Sequence, residues 1–410
     1  MSLPTITETS DTGHRRLRAG LALVGILIAG ANLRASITTV GPLLDRVRGD
    51  LDLSATTASA LISLPVLCFA IFSPVAPGLA RRLGLEPAIT AALGVLCVGV
   101  VARSVPWLPA LWIGTALLGL GIAMINVLLP AVVKRDFPHA AGRLTGTYSV
   151  AQSALAALGA GLAVPIADSS DHGWRLAFGI WAGLALIGVA VFLPQLRGAA
   201  AERARLADLA DRGDAGTTVH HRLPWGSALA WQVTLFMGLQ STIYYTAVAW
   251  WPSVEESHGV ASGTAGLHMG ALQVCCIAGN ILTAWVVQRR PEDQRILMAS
   301  LTSVMVVAVV GELVLPGGGL LWSAMLGVGG GGLIVLALAL FGLRTRHHDQ
   351  AAALSGMAQS FGYLIAAAGP IAIGAVHDAT SSWNLALVIL VGVLIGQLVA
   401  GLGACRHRYL

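Results

Sequence analysis

The chain contains twelve apolar runs, each close to the ~20 residues that an α-helix needs to cross a bilayer. Charged residues make up only 11% of the sequence, against about 25% in a typical soluble domain. The sequence therefore predicts an all-α polytopic membrane protein with twelve transmembrane helices. It excludes a nucleic-acid-binding domain, a secreted disulfide scaffold and a soluble enzyme. The predicted spans are 18–44, 56–80, 87–104, 107–133, 143–167, 174–196, 229–252, 262–288, 296–315, 320–342, 351–377 and 383–404.

Lysine and arginine are distributed unevenly between the two sides of this topology. With the N-terminus inside, the inner loops and tails carry 20 of the 25 basic residues and the outer loops carry four, Arg103 among them. Cytoplasmic loops are enriched in Lys and Arg. We therefore expect a multi-pass protein of a bacterial inner membrane with both termini in the cytoplasm.

The longest polar segment, 197–228, separates six spans from six. The sequence from Leu144 resembles the sequence from Leu354 at a constant offset of 210 residues, and LGLG at Leu118 is matched by LGVG at Leu326. Two parallel six-helix repeats with a substrate site between them are typical of one class of transporters. The predicted organisation is a cytoplasmic tail 1–16, an N-terminal six-helix bundle 17–197, a cytoplasmic linker 198–228, a C-terminal six-helix bundle 229–405 and a tail 406–410.

Arg34 is the basic residue that the sequence places inside a span. It lies about sixteen residues into the first run, or roughly 24 Å of helical rise from Arg18, near the middle of the bilayer. An arginine there is costly unless it faces water, a partner or a ligand. No carboxylate is predicted at this depth, since Glu312 lies near the outer end of span 9 and Glu255 in an outer loop. We therefore expect the substrate to be its counter-ion. The alternative is an arginine held by backbone carbonyls and tyrosine hydroxyls to fasten helices.

Other polar side chains lie inside the spans and are candidates for the wall of the same cavity. Three polar–aromatic pairs are one helical turn apart and therefore share a face. Interhelical hydrogen bonding is the alternative for each pair. Asn32 lies only two residues from Arg34, so it lines the same cavity only if the helix is distorted. The candidates are Asn32, Asn126, Tyr148 with Gln152, Gln240 with Tyr244, and Gln359 with Tyr363.

His268 in span 8 is the candidate for carrying a coupling proton, because histidine titrates near neutral pH. A hydrogen-bonded packing role is the commoner alternative at such a position. The sequence has no zinc-type cluster and no Walker A motif. We expect no metal, no cofactor and no enzymatic activity.

Three segments resemble one branch of a transporter family. They are NLRASITTVGPLLDRVRGDLDLS from Asn32, LPVLCFAIFSPVAPGLARRLGLE from Leu64 and GMAQSFGYLIAAAGP from Gly356. They are similar to the cyanate permease and nitroimidazole transporters of the major facilitator superfamily. In the loop after span 2, Arg81 and Glu86 depart from the superfamily's usual motif. The resemblance implies two six-helix halves and a secondary transporter for small anions or related compounds.

These observations favour a symporter that takes up a small anion, cyanate-like or organic, by alternating access. The expected partners are that anion, a coupling proton and the lipid bilayer, with the protein a monomer that binds no nucleic acid. One alternative is proton-coupled efflux of a neutral or cationic drug-like heterocycle such as a nitroimidazole. A cation exporter would be expected to have a mid-membrane carboxylate. A second alternative is a non-transporting membrane receptor.

Overall fold

The computed structural model describes residues 20–137, 141–196, 224–290, 292–346 and 348–410. The predicted tail 1–16 and residues 198–223 of the predicted linker lie outside these ranges. Within the described ranges the chain is almost entirely helical and contains no β-strand. The all-helical prediction is confirmed.

The first half of the chain forms eleven described helices, several of them short. The predicted first span is interrupted at residues 32–34, and a 3₁₀ turn, Gly41–Leu43, follows α2. The predicted second span ends at Phe72, and a separate short helix follows it. The helices are α1 (20–31), α2 (Ala35–Thr38), α3 (Leu44–Leu51), α4 (Ala55–Phe72), α5 (Ala76–Leu83), α6 (Leu85–Arg103), α7 (Leu108–Asp136), α8 (Ala141–Gly161), α9 (Ala163–Asp168), α10 (Trp174–Gly179) and α11 (Trp181–Phe192).

The second half of the chain forms longer and less interrupted helices. A 3₁₀ turn, Pro316–Gly318, connects the third and fourth of them. These helices are α12 (Ala228–Ser257), α13 (Ser262–Arg289), α14 (Arg295–Val314), α15 (Gly319–Leu343), α16 (His348–Thr380) and α17 (Trp383–Ala404).

In the described residues, ten helical segments are long and apolar enough to cross a membrane. They match ten of the twelve predicted spans. The other two predicted spans are α8 and α12, which are long enough but carry glutamine, serine and tyrosine along their length. A helix that lines a polar cavity is expected to be less apolar than one that faces lipid on all sides.

The paired LGLG and LGVG motifs pack in the same way in the two halves. In α7, a Cβ at Gly119 would lie 2.6 Å from the Cα of Pro65 in α4. In α15, a Cβ at Gly327 would clash with the carbonyl oxygen of Leu272 in α13. The second glycine of each motif makes the equivalent close approach to α6 and α14. Small residues allow membrane helices to approach closely, so the internal repeat corresponds to repeated packing.

The two halves contact each other through α4 with α16 and through α8 with α13. The Asp378 carboxylate in α16 accepts hydrogen bonds from the backbone N–H groups of Ala55 and Thr56, both at 2.8 Å, at the start of α4. In the 3₁₀ turn, Gly41 lies directly against the carbonyl oxygen of Val248 in α12. The hydrogen bonds of Asp378 and the contact of Gly41 lie at one end of the bundle, which we call the joined end.

Two charged groups are placed differently from the sequence prediction. Arg103, assigned to an outer loop, is the last residue of α6 and is buried, with Nη2 donating to the Ser36 carbonyl at 2.8 Å. Its guanidinium also lies 4.6 Å from the centre of the Phe178 ring. Glu255, also assigned to an outer loop, is buried inside α12, because this helix continues through Pro252 to Ser257.

The loop after the second span does carry an ion pair despite its departure from the superfamily motif. Glu86 at the start of α6 pairs with Arg135 near the end of α7. The neighbouring Asp136 carboxylate accepts from Arg135 Nε at 2.7 Å. These groups join α6 and α7 at the end of the bundle opposite the joined end.

Candidate functional site

The interruption of the first span places Arg34 at a bend in the chain. Helix α1 ends at residue 31, and the backbone N–H of Leu33 bonds to the Gly30 carbonyl at 3.1 Å in a tighter turn. A new helical turn begins directly after Arg34, whose carbonyl accepts from the N–H groups of Ile37 and Thr38. The guanidinium therefore leaves the backbone at a break, where its direction is not fixed by the axis of a continuous helix.

Asn32 stabilises this break and does not line the cavity. Its Nδ2 donates to the carbonyl of Ile28, at 2.9 Å, and to the carbonyl of Leu184 in α11, at 3.3 Å. Backbone carbonyls at a helix end need such partners in a medium without water. Thus the helix is distorted, as joint lining by Asn32 and Arg34 would require, but Asn32 packs against a neighbouring helix.

Two glycines let α8 approach the broken span. A Cβ at Gly30 would lie 2.9 Å from Tyr148 Cβ, and one at Gly159 would lie 2.7 Å from the Ala35 carbonyl oxygen. In the second half, Gly369 makes the equivalent approach to Thr242 in α12. Glycines at equivalent positions of the repeat, Gly159 and Gly369, therefore make equivalent close contacts between helices in the two halves.

A cavity of about 120 Å³ lies between the two halves and is lined by α8, α12, α13, α15, α16 and Arg34. Its lining is mixed, with tyrosine rings, amides and hydroxyls on one part and aliphatic groups of α15 on another. Such a lining suits a small solute with a polar group and an apolar body. The lining residues are Arg34, Ser149, Gln152, Ser153, Gln240, Ser241, Tyr244, Tyr245, Cys276, Asn280, Gly330, Gly331, Ile334, Val335, Leu338 and Tyr363.

A short chain of hydrogen bonds crosses between the halves at Arg34. Arg34 Nη1 donates to the Tyr244 hydroxyl at 3.0 Å, and this hydroxyl donates to Gln273 Oε1 at 3.1 Å. The guanidinium also lies 4.9 Å from the centre of the Tyr244 ring. Arg34 and Tyr244 are 210 residues apart, which is the offset of the sequence repeat. The two residues at equivalent positions of the repeat thus meet in the middle of the protein.

The charge of the site comes from Arg34. In the part of the chain that the structure describes, the cavity lining contains no aspartate or glutamate and no second arginine or lysine. No ion pair to Arg34 occurs among the described residues. A guanidinium has five donors, and one of them is directed to a neutral hydroxyl. The arrangement can therefore accept an anion or another strong hydrogen-bond acceptor.

The structure brings together five of the residues predicted from the sequence: Arg34, Gln152, Gln240, Tyr244 and Tyr363 line one cavity. The two residues of the Gln240–Tyr244 pair lie side by side, as their helical spacing predicts. Gln240 Nε2 donates to the Ser241 hydroxyl at 2.7 Å. A binding role for each of these residues stays a prediction.

The other candidates lie outside this lining. Tyr148 is buried against Gly30, and Gln359 donates to Ser355, in its own helix, at 2.8 Å. Asn126 is exposed on α7. Asn32 bonds to backbone carbonyls, as described above. None of these four side chains forms part of the described cavity lining.

Several lining residues carried no signal in the sequence. Tyr245 follows Tyr244 directly, and its ring packs edge-on against Phe69 of α4, with centres 6.5 Å apart. Serines of α8 and α12, with Asn280 of α13, complete the polar wall. Gln273, which accepts from the Tyr244 hydroxyl, is not among the residues predicted from the sequence. Gly330 and Gly331 form part of the α15 side of the lining, where a Cβ at Gly331 would clash with the carbonyl oxygen of Cys276 in α13, and this glycine run gives no amphipathic pattern.

The partner of His268 is a residue that the sequence predicts in an outer loop. Its Nδ1 lies 2.9 Å from Glu255 Oε2, and the Glu255 side chain is completely buried. Trp251 Nε1 and the Ser323 hydroxyl donate to the other carboxylate oxygen, at 3.1 and 3.0 Å. His268 therefore belongs to a buried polar cluster at the joined end and does not line the Arg34 cavity.

Comparison with known families and proteins gives a consistent result over nearly the whole chain. Residues 26–370 match the family model described as the Major Facilitator Superfamily. The chain is 40% identical over 403 residues to the uncharacterized transporter YycB of Bacillus subtilis (strain 168), covering 97% of this chain and 96% of that protein.

Two Escherichia coli (strain K12) proteins are also similar. The 2-nitroimidazole transporter is 39% identical over 402 residues, with 98% of each chain covered. The cyanate transport protein CynX is 25% identical over 379 residues, covering 91% of this chain and 95% of that protein. In fold, a crystal structure of a D-xylose-proton symporter superposes with a TM-score of 0.71 at 16% identity, covering 96% of this chain and 99% of that one.

Proposed function

This chain belongs to the major facilitator superfamily, as its sequence motifs predict, and from that premise we propose that it is a secondary active transporter of a small anion. The substrate class is a cyanate-like or small organic monoanion. It binds in the cavity between the two halves, with Arg34 as its main charged contact. The protein moves it across the membrane by alternating access.

The observation that carries this proposal is the state of Arg34. Arg34 is half-buried and lines a polar cavity. Its described partner is a neutral hydroxyl, and the described lining holds no carboxylate. A charge held in low dielectric without a counter-charge is expensive. A monoanion at the guanidinium removes that cost, and two oxygens match the planar fork of arginine. Binding therefore favours anions over cations by elementary electrostatics.

The position of the site between the halves supports the transport mechanism. At the joined end, Asp378 and Gly41 connect one half to the other. At the cavity, the Arg34–Tyr244 bond makes a further connection, through a group that an anion can replace. Rocking of one six-helix half against the other around such a site is the general mechanism for parallel-repeat transporters. Substrate occupancy would then decide which inter-half contacts form.

We propose uptake by symport, in an inner membrane with both termini in the cytoplasm. The excess of arginine and lysine in one set of loops supports this orientation. A monoanion entering a cell works against a negative-inside potential, at about 2.3 kcal/mol per charge per 100 mV. Co-transport of one proton makes the step electroneutral. Since one chain contains a complete cavity, a monomer is sufficient, with units 17–197 and 229–405 as the two moving bodies.

A second candidate substrate is a neutral heterocycle with a nitro group, exported by the same cavity. The observation in its favour is the 39% identity to a protein named as a 2-nitroimidazole transporter. A nitro group is planar and presents two oxygen acceptors, so it can accept from the guanidinium fork as a carboxylate does. It lacks the net charge, and hydrogen bonds between a charged donor and a neutral acceptor are weaker than those between two charged groups.

Matched pairs of probes separate the two candidates. Benzoate and nitrobenzene have the same ring and the same two-oxygen shape but differ in charge, as do furan-2-carboxylate and 2-nitrofuran. We expect each carboxylate to bind purified protein about tenfold more tightly than its nitro partner, from about 1.4 kcal/mol of charge assistance. Calorimetric titration in detergent gives the affinities, and uptake of labelled probe into proteoliposomes gives transport, with cyanate as the smallest anion.

Equal or tighter binding of the nitro partners would favour the heterocycle candidate and overturn anion selectivity. Failure of every probe to bind or enter the proteoliposomes, by a protein that is monodisperse and inserted, would contradict the proposed function itself. Protein-free liposomes give the passive permeation of each probe, which is the baseline that the neutral nitro compounds require.

A further inference from the structure

A second polar site lies inside the C-terminal half and takes no part in the cavity around Arg34. Glu255 of α12 is completely buried, with one carboxylate oxygen 2.9 Å from His268 Nδ1 of α13. The other oxygen accepts from Trp251 and from Ser323 of α15. The carboxyl group is therefore held at a fixed position where three helices meet.

The charged groups around this carboxyl are few. His258, the first residue after α12, is three residues from Glu255, and its Nδ1 lies 2.9 Å from Glu312 Oε1 of α14. Glu312 is also completely buried, and its Oε2 has no hydrogen-bond partner. On α13 the facing group is His268, and α15 contributes only the neutral Ser323. No arginine or lysine pairs with either carboxyl group among the described residues, so each carboxyl has an imidazole as its partner.

A carboxyl–imidazole pair of this kind is neutral when it holds one shared proton. The proton lies either on oxygen, facing the imidazole lone pair, or on Nδ1, facing the carboxylate. If that proton is lost, a buried carboxylate has no cation beside it, which is strongly unfavourable away from water. The pair therefore provides a place for one proton that can be gained or lost as a unit, without a lysine or arginine that would hold the carboxylate permanently charged.

Access to the pair comes from the joined end. The His268 side chain is 16% exposed, and it lines a surface groove with Val260 and the 3₁₀ turn Pro316–Gly318. At the start of α15, a Cβ at Gly319 would lie 3.0 Å from Glu255 Oε1 and 3.1 Å from His268 Nδ1. Glycine at this position lets the backbone pass directly over the pair. Glu255 is thus reached from the groove through the imidazole ring.

The same two helices connect this pair to the substrate cavity. Helix α12 carries both Tyr244 and Glu255, eleven residues apart and so about 16 Å along the axis. Helix α13 carries His268 and Gln273, about 7.5 Å apart. Tyr244 and Gln273 are the residues that bond to each other beside Arg34. A change in the Glu255–His268 contact between α12 and α13 therefore acts on the Tyr244–Gln273 hydrogen bond between the same two helices.

We propose that the Glu255–His268 pair is the site that binds the coupling proton, an inference that rests on the proposed function. Exchange proceeds in two steps. The Glu255 carboxyl gives its proton to His268 Nδ1, and the imidazolium then gives its Nε2 proton to water in the groove. This leaves a neutral imidazole that donates to the carboxylate, and the reverse sequence loads the site. Protonation determines how tightly α12, α13 and α15 are joined, and thereby the geometry at Tyr244.

The test compares net uptake with exchange in proteoliposomes that contain the dye pyranine, using labelled imidazole-2-carboxylate as the probe. For wild type with one proton per anion, we expect the accumulation ratio to rise tenfold per unit of inward pH gradient, with acidification of the lumen. Glu255→Gln keeps the shape and the Ser323 bond but cannot release a proton. It should show no dependence on the gradient and no acidification, while exchange of labelled for unlabelled probe continues.

Glu256→Gln is the matched control, because Glu256 is the adjacent residue and is only partly buried; it should behave like wild type. His268→Gln gives an independent variant if Glu255→Gln does not fold, and it should abolish the gradient dependence in the same way. Gradient-driven accumulation with lumen acidification in either folded variant would overturn the proton site. So would uptake by wild type that is independent of the gradient. An absence of any uptake or exchange by wild type would instead contradict the proposed function.

Discussion

Two arginines lie among the helices of the N-terminal half, one half-buried and one buried, and they differ in their partners and in their access to the cavity. Arg103 donates to a backbone carbonyl of its own half and lies over the Phe178 ring, with 1% of its surface exposed. Arg34 lies at a helix break, faces a cavity and donates to a tyrosine hydroxyl of the other half. Arg103 has the environment of an arginine that fastens helices, whereas Arg34 has the environment of an arginine that binds a ligand.

The comparison shows that burial is a weaker indicator of function than the nature of the partners, because Arg103 is the more buried of the two. Both side chains lack a carboxylate partner among the described residues. The hydrogen bond of Arg103 Nη2 is to a group that cannot leave, the backbone carbonyl of Ser36, and Arg103 Nε has no partner among the described residues. The described partner of Arg34 is a hydroxyl that has a second partner of its own, Gln273. Only the guanidinium of Arg34 can be approached by a solute, and its hydrogen bond to Tyr244 can be exchanged for one to that solute.

The largest effect on stability is expected for Arg103→Ala. The substitution leaves the Ser36 carbonyl unpaired and opens a space beside Phe178, with an expected loss of about 3 kcal/mol of unfolding free energy. Thermal unfolding in detergent, followed by tryptophan fluorescence, should show a clear fall in Tm. Arg34→Ala, measured without ligand, should lower the unfolding free energy by only about 1 kcal/mol, because the described hydrogen bond that it loses is to a neutral hydroxyl. A reversal of this order would remove the distinction between the two arginines.

A smaller effect is expected for Tyr244→Phe, and it is an effect on the affinity of the cavity for an anion. The ring stays, but the hydroxyl between Arg34 and Gln273 is removed. Losing one hydrogen bond of this kind costs about 0.5–1.5 kcal/mol, so affinity for benzoate should change by roughly two- to tenfold. Calorimetric titration measures it. Gln359→Ala is the control, because that side chain bonds within its own helix and lies outside the cavity lining; an equal effect there would contradict the assignment of the site.

Much of the fold followed from the sequence, because lipid imposes a simple pattern on span length. The repeat offset of 210 located equivalent packing glycines, such as Gly159 and Gly369, and helical spacing placed Gln240 with Tyr244 on one wall. The pairing of Arg34 with Tyr244 was also implicit in that offset. It was not predicted, because nothing in a sequence states that two equivalent positions of a repeat will touch.

The remaining features could not be predicted from the sequence, and each has a physical reason. Pro252 suggests the end of a span, since proline removes a backbone donor. The helix nevertheless continues through it and takes Glu255 into the interior. Asn32 was left open between lining the cavity and packing, and only the structure of the break decides its direction. Arg103 stands beside an outer loop in sequence, and its burial depends on how α6 meets the first span.

Anion binding by Arg34 is tested by the affinity of purified protein for benzoate or imidazole-2-carboxylate, measured by calorimetry for wild type, Arg34→Ala, Arg34→Lys and Arg103→Ala. We predict that Arg34→Ala loses about ten- to a hundredfold in affinity, from the ~1.5–3 kcal/mol of a charged hydrogen bond. Arg34→Lys should retain part of it, to the extent that charge rather than the planar fork decides binding. The folded fraction of Arg103→Ala should bind like wild type. Wild-type affinity in monodisperse Arg34→Ala would contradict the account.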